Sequence, residues 1–133
     1  MPIGITRTIT SDLVYASPFR GKVEHFAQIK IDVSALTNSQ VDTAGNLKPG
    51  TVLTLAGLAP TLAGDKVGVL HKPVKVHTNN TTLAGVTDDV SAGFGVIGIL
   101  NRDVMEDNLE RALTAAEIAA LDGAGSRLVL LLT

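Results

Sequence analysis

The sequence predicts a mainly β (α+β) fold. It should be a small β-rich, barrel- or sandwich-like domain with one or two short helices and an extended N-terminal arm. Three observations predict it. Short runs of alternating or β-branched aliphatics are separated by Gly, Pro and Asn turns. The one fully capped helix signal is only about two turns long. The opening residues 1–27 hold no sustained period of 3.6 or of 2. A chain of 133 residues is enough for one domain.

The composition is apolar: 45% hydrophobic and 18% charged, with a mean hydropathy of +0.30. A domain of this size buries about two thirds of its extended-chain surface. Surplus apolar residues are therefore expected at a contact with another chain. A net charge of −2 lacks the basic footprint of a general nucleic-acid binder, so no nucleic-acid partner is expected. The absence of cysteine excludes disulfides, thiol catalysis and Cys-based zinc sites. The longest chargeless, apolar-leaning stretch, residues 51–64, is interrupted by Gly57 and Pro60. It falls short of the roughly 20 residues of a membrane span, so no membrane partner is expected. A basic segment followed by an apolar one is missing from the N-terminus, so no secretory leader is expected.

Residues 1–27 read as an arm. Three of the four aromatics, Tyr15, Phe19 and Phe26, lie in it. Residues 1–30 carry Arg7, Arg20, Lys22 and Lys30 against Asp12 and Glu24, whereas the remainder is acidic. Disordered tails are poor in aromatics and interface anchors are rich in them. The reading is an arm that docks on a partner, with Tyr15, Phe19, Arg20 and Phe26 as its contacts. Folding of the same aromatics onto the chain's own core is the alternative. Residues 28–133 then form the β-rich domain.

Residues 27–33 alternate as a half-buried strand, and residues 34–45 form a polar connection. Lys48-Pro49-Gly50 sets a tight turn, because Pro49 fixes φ near −65° and Gly50 accepts a positive φ. Residues 51–55 and 67–70 follow as strands around a Gly/Ala/Pro loop. Residues 74–77 form a short edge piece after Pro73. Asn79 and Asn80 each match the N-x-Thr glycosylation triplet, a pattern common by chance. Residues 93–100 are the longest apolar strand candidate, and their three glycines imply a bulge or a close backbone approach. Val67-Gly68-Val69-Leu70 and Ile97-Gly98-Ile99-Leu100 echo each other, as two similar strands of one barrel would. Residues 103–111 fit either a turn with a short strand or an extra helical turn or two.

Thr114 and Glu117 form the capping box of a helix, with Leu113 and Ile118 placed as a hydrophobic staple. Asp122-Gly123 ends it. Residues 128–132 are five consecutive aliphatics. They read as a strand buried on both faces, inside a sheet or at a subunit contact through Leu128, Leu130 and Leu132.

Nothing here marks an enzyme. His25, His71 and His77 lack metal-pair spacing. Gly93-x-Gly95-x-x-Gly98 matches a phosphate-loop pattern only formally, since it lies within a strand. Asp103, Glu106, Asp107 and Glu110 lack the calcium-loop pattern and read as a solvated face, as does the loop pair Asp88-Asp89. No catalytic residue, cofactor or metal is expected.

Residues 47–53 (Leu-Lys-Pro-Gly-Thr-Val-Leu), residues 67–70, residues 108–121 and the terminal aliphatic strand share an order and spacing. In that order and spacing the chain resembles the lambda-D-like head decoration proteins of tailed bacteriophages over roughly residues 28–133. The resemblance implies a small β-rich fold and a homotrimer on the outer surface of the virion capsid, with the major capsid protein as partner. It implies cementing of the expanded head against internal DNA pressure, with no catalytic residue or cofactor. The arm and residues 86–93 have no counterpart to align, so no family contact residue carries over to them. Another virion module (tail, fibre or adhesin) or a non-viral β-rich oligomeric binding protein is the alternative reading.

Overall fold

In a computed structural model, residues 15–32, 35–42, 45–61, 64–76, 90–123 and 126–131 are described. The strands are β1 (His25–Ile31), β2 (Asn46–Leu47), β3 (Val52–Thr54), β4 (Val67–Leu70), β5 (Val74–Lys75), β6 (Val90–Asn101) and β7 (Arg127–Leu131). The helices are α1 (Arg102–Leu109) and α2 (Ala115–Leu121), and a 3-10 turn covers Asn38–Gln40. The fold is mainly β, with a five-stranded sheet curled into a half-barrel and a two-stranded β2–β5 sheet.

β6 is the axis of the large sheet. Along one edge β1 runs antiparallel, from Ile31 opposite Val90 to His25 opposite Ile97. Along the other edge β4 pairs antiparallel at Phe94 and Gly95, and β7 pairs parallel from Ile97 to Asn101. The parallel pairing needs a long crossover, and α1 and α2 supply it. β3 completes the path beyond β4. The echoing strands of the sequence, 67–70 and 97–100, thus lie in one sheet. Gly57 closes the curl: its carbonyl accepts the Asp32 N–H at 3.2 Å, and a Cβ there would clash with the Lys30 carbonyl.

β3 and β4 have core on both faces, which accounts for their nearly unbroken burial. Val52, Val67 and Val69 face one cluster, with Phe19, Leu100, Met105, Leu109, Leu121 and Leu128. Leu53 and Leu70 face the other, with Ile29, Ile31, Leu47 and Phe94. The turn before β3 has the expected form. Gly50 has φ +105°, and the Thr51 N–H reaches the Lys48 carbonyl at 3.3 Å. A side chain at Gly50 would press on the Met105 backbone, so the turn also fits against α1.

Thr114 caps α2. Its hydroxyl accepts the Glu117 N–H at 3.1 Å, and the Glu117 carboxylate accepts the Thr114 N–H at 2.9 Å. Leu113 and Ile118 meet in the first cluster, as a staple requires. Within residues 103–111, residues 103–109 belong to helix α1, and Glu110 and Arg111 lie in the turn after it. The Asn101 side chain caps α1 by accepting the Asp103 and Val104 N–H groups, and Glu110 ends it in the left-handed conformation at φ 59°.

Candidate functional site

Two surfaces bear on function: the path of residues 15–26 and an uncovered apolar stretch of the large sheet.

The arm boundary expected at residue 27 falls inside β1, and the chain is tied to the domain from Tyr15 onward. The Pro18 carbonyl accepts the Asn101 N–H at 2.8 Å, and the Arg20 N–H donates to the Ile99 carbonyl at 2.7 Å. The Glu24 N–H reaches the Ile97 carbonyl at 2.9 Å. Residues 18–24 thereby extend the β1 pairing along β6. Asn108 Nδ2 donates to the Ala16 carbonyl at 2.8 Å. The Tyr15 hydroxyl donates to Asp42 Oδ2 at 2.8 Å, while Asp42 Oδ1 accepts the Asn46 N–H at 3.0 Å. Burial, then the Asp42 hydrogen bond, pushes the Tyr15 hydroxyl well above its ordinary value of 10.0.

The sequence-predicted contact residues separate. Phe19 is buried at 5% exposure in the first cluster. Its ring lies over Gly95, where a Cβ would collide with it, and over Gly98, where a Cβ would press on it at 3.0 Å. A bulge makes this possible. Val96 is an extra residue between the pairs His25–Ile97 and Phe26–Gly95, so the side-chain alternation of β6 shifts there. Phe19 therefore follows the alternative of folding onto the chain's own core. Arg20 is exposed. Phe26 is 44% exposed, and its ring sits 4.9 Å from His71, centroid to centroid. His71 also meets Phe19 edge-on at 6.3 Å. Its Nδ1 is buried without a hydrogen-bond partner among the described residues. Burial, then the Lys72 charge, lowers its pKa below the ordinary 6.5.

In the terminal strand, Leu128 is buried in the first cluster and Leu130 packs against it. Leu132 lies outside the described residues, as do residues 1–14, His77, Asn79, Asn80 and Asp88-Asp89. Within the single chain Val129 is 53% exposed, so this chain alone does not bury the strand on both faces. Among the described side chains of this strand, Arg127 and Val129 are exposed, Leu130 is half-buried and Leu128 is buried.

The acidic face is partly structural. Glu106 accepts the Leu113 N–H at 2.9 Å and Arg102 Nε at 3.0 Å, and these bonds hold its carboxyl below the usual range. Arg111 forks onto both Glu117 oxygens at 2.9 and 3.1 Å and also reaches Ser39. Among the described residues, no group of three or more His, Cys, Asp and Glu side chains is placed to hold a metal ion. Among the same residues, no helix is long and apolar enough to cross a membrane.

The second surface was not singled out from the sequence. β4 leaves the β6 edge after Gly95, and β7 joins it at Ile97, so the sheet forks at Val96. An open groove of about 340 Å³ lies at the fork, lined by residues that include Leu55, Val96 and Ile97. Its other lining side chains include His25, Lys66 and Arg127. The apolar surface continues outward through the paired residues Ile99 and Val129, 43% and 53% exposed. Strand alternation indicates which residues share a face, but which end of that face stays uncovered depends on the fork.

Comparison of the chain with protein-family models, curated proteins and solved structures gives no match.

Proposed function

We propose that the protein is a non-enzymatic structural component of a virion. In this reading it is a head decoration, or cement, protein that assembles as a homotrimer. It binds the major capsid protein on the outer surface of the expanded phage head and stabilises the shell against internal DNA pressure. The observation that carries the reading is the order of its motifs: Lys48-Pro49-Gly50 turn, β3, β4, capped α2 and aliphatic β7. Apolar exposure at Leu55, Leu58, Ile99 and Val129 supplies surface for contacts between chains. Three linked subunits bind a lattice with avidity, because the second and third contacts form at high effective concentration. Modest single contacts then suffice.

Cryo-electron microscopy tests the proposal. Purified protein is added to expanded heads that lack it, and the heads are imaged. The expected result is added density on the outer shell at threefold or quasi-threefold points. Density confined to a tail or fibre would move the protein to the rival virion role, and unchanged heads would refute decoration.

A further inference from the structure

We infer that the groove at the sheet fork is a docking site for a peptide segment of another protein that presents a large apolar side chain flanked by carboxylates. This inference rests on the charge and shape of the groove and not on the decoration reading, although both draw on the same exposed face.

Charge and shape select that occupant. The groove volume, about 340 Å³, is at the small end of ligand-binding clefts. Leu55, Val96 and Ile97 offer an apolar floor that suits one large side chain. The polar side chains of the lining are all basic or imidazole: Lys66, Arg127 and His25. All three residues are exposed. The nearest acid in sequence to Lys66 is Asp65, whose Oδ2 accepts the Thr61 N–H at 2.9 Å within its own loop. An apolar floor rimmed by cations favours an apolar group bearing negative charge and disfavours a cationic one. The open side and the exposed continuation through Ile99 and Val129 suit a chain lying along the surface better than an enclosed small molecule.

The test is an amide-resolved NMR titration of the full chain with the peptide Ac-Glu-Asp-Phe-Asp-Glu-NH2. Two controls accompany it, one with every acid replaced by Lys and one with Phe replaced by Gly. The expected result is saturable shifts centred on Leu55, Lys66, Val96, Ile97 and Arg127 for the acidic Phe peptide alone. Lys66→Glu with Arg127→Glu should weaken that binding by roughly tenfold or more, with the remaining amide spectrum and the thermal midpoint unchanged. Equal binding of either control peptide would overturn the inference, as would shifts centred elsewhere or no binding. Hexanoate saturating the same amides as tightly would make the groove a small-molecule site and also overturn it. Shifts of the same amides on dilution of the protein alone would assign the face to a second copy of the chain, with the same consequence.

Discussion

Phe19 shows how one side chain couples the N-terminal segment to the sheet. Its ring occupies space that Gly95 leaves open and packs closely over Gly98. Phe19→Ala should therefore cost about 3–5 kcal/mol of stability, read by urea unfolding. Phe26→Ala, at a half-exposed site, should cost less than about 1.5 kcal/mol by the same measurement. Equal costs would show that Phe19 is not a core residue. Tyr15 makes a pH-dependent contribution. Its folded pKa is raised, so the stabilisation is complete below the unfolded value of about 10 and is lost as pH rises above it. Alkaline titration monitored by amide exchange should show residues 15–24 loosening first, and Tyr15→Phe should remove that pH-dependent step. His71 acts at the other end of the scale. Its lowered pKa means that stability is present above about 6.5 and declines as pH falls through the folded value.

Among the elements, α1 and α2 depend on their ends. Removing the capping hydroxyl by Thr114→Ala should cost about 1 kcal/mol, measured by thermal unfolding. Glu110 holds a left-handed conformation that disfavours side chains. Glu110→Gly should gain up to about 1 kcal/mol in the same assay, and a loss would show that its side chain compensates for the strain. The contrast between these elements shows what was legible beforehand. The α2 signals are local, with cap, staple and stop all within residues 113–123, so its start was readable residue by residue. The Pro49-Gly50 turn and strand β4 were readable for the same reason. α1 was ambiguous because its cap, Asn101, is also the last residue of β6. The two-residue β2 had no periodicity to read, and it exists through its pairing with β5. Residues 15–24 looked like an arm because no local pattern orders them. Their order comes from backbone bonds to residues about 70 to 80 positions away. The groove was illegible because it depends on where β4 departs from β6 and β7 arrives.

For the whole molecule, the excess of apolar residues has two outlets. Much of it fills two clusters on opposite faces of β3 and β4. Among the described residues, part of the remainder is exposed at the sheet fork and along Ile99 and Val129, and at Phe26 and Leu58. The decoration reading gives that remainder a purpose, as contacts between subunits or with a capsid. It also moves the expected capsid contacts away from Phe19 and toward Arg20, Phe26 and the residues ahead of Tyr15. The most direct measurement is sedimentation of the intact protein, first alone for its mass and then with expanded and unexpanded heads. The account predicts a trimer that pellets with expanded heads. A monomer that stays in the supernatant with both kinds of head would contradict it.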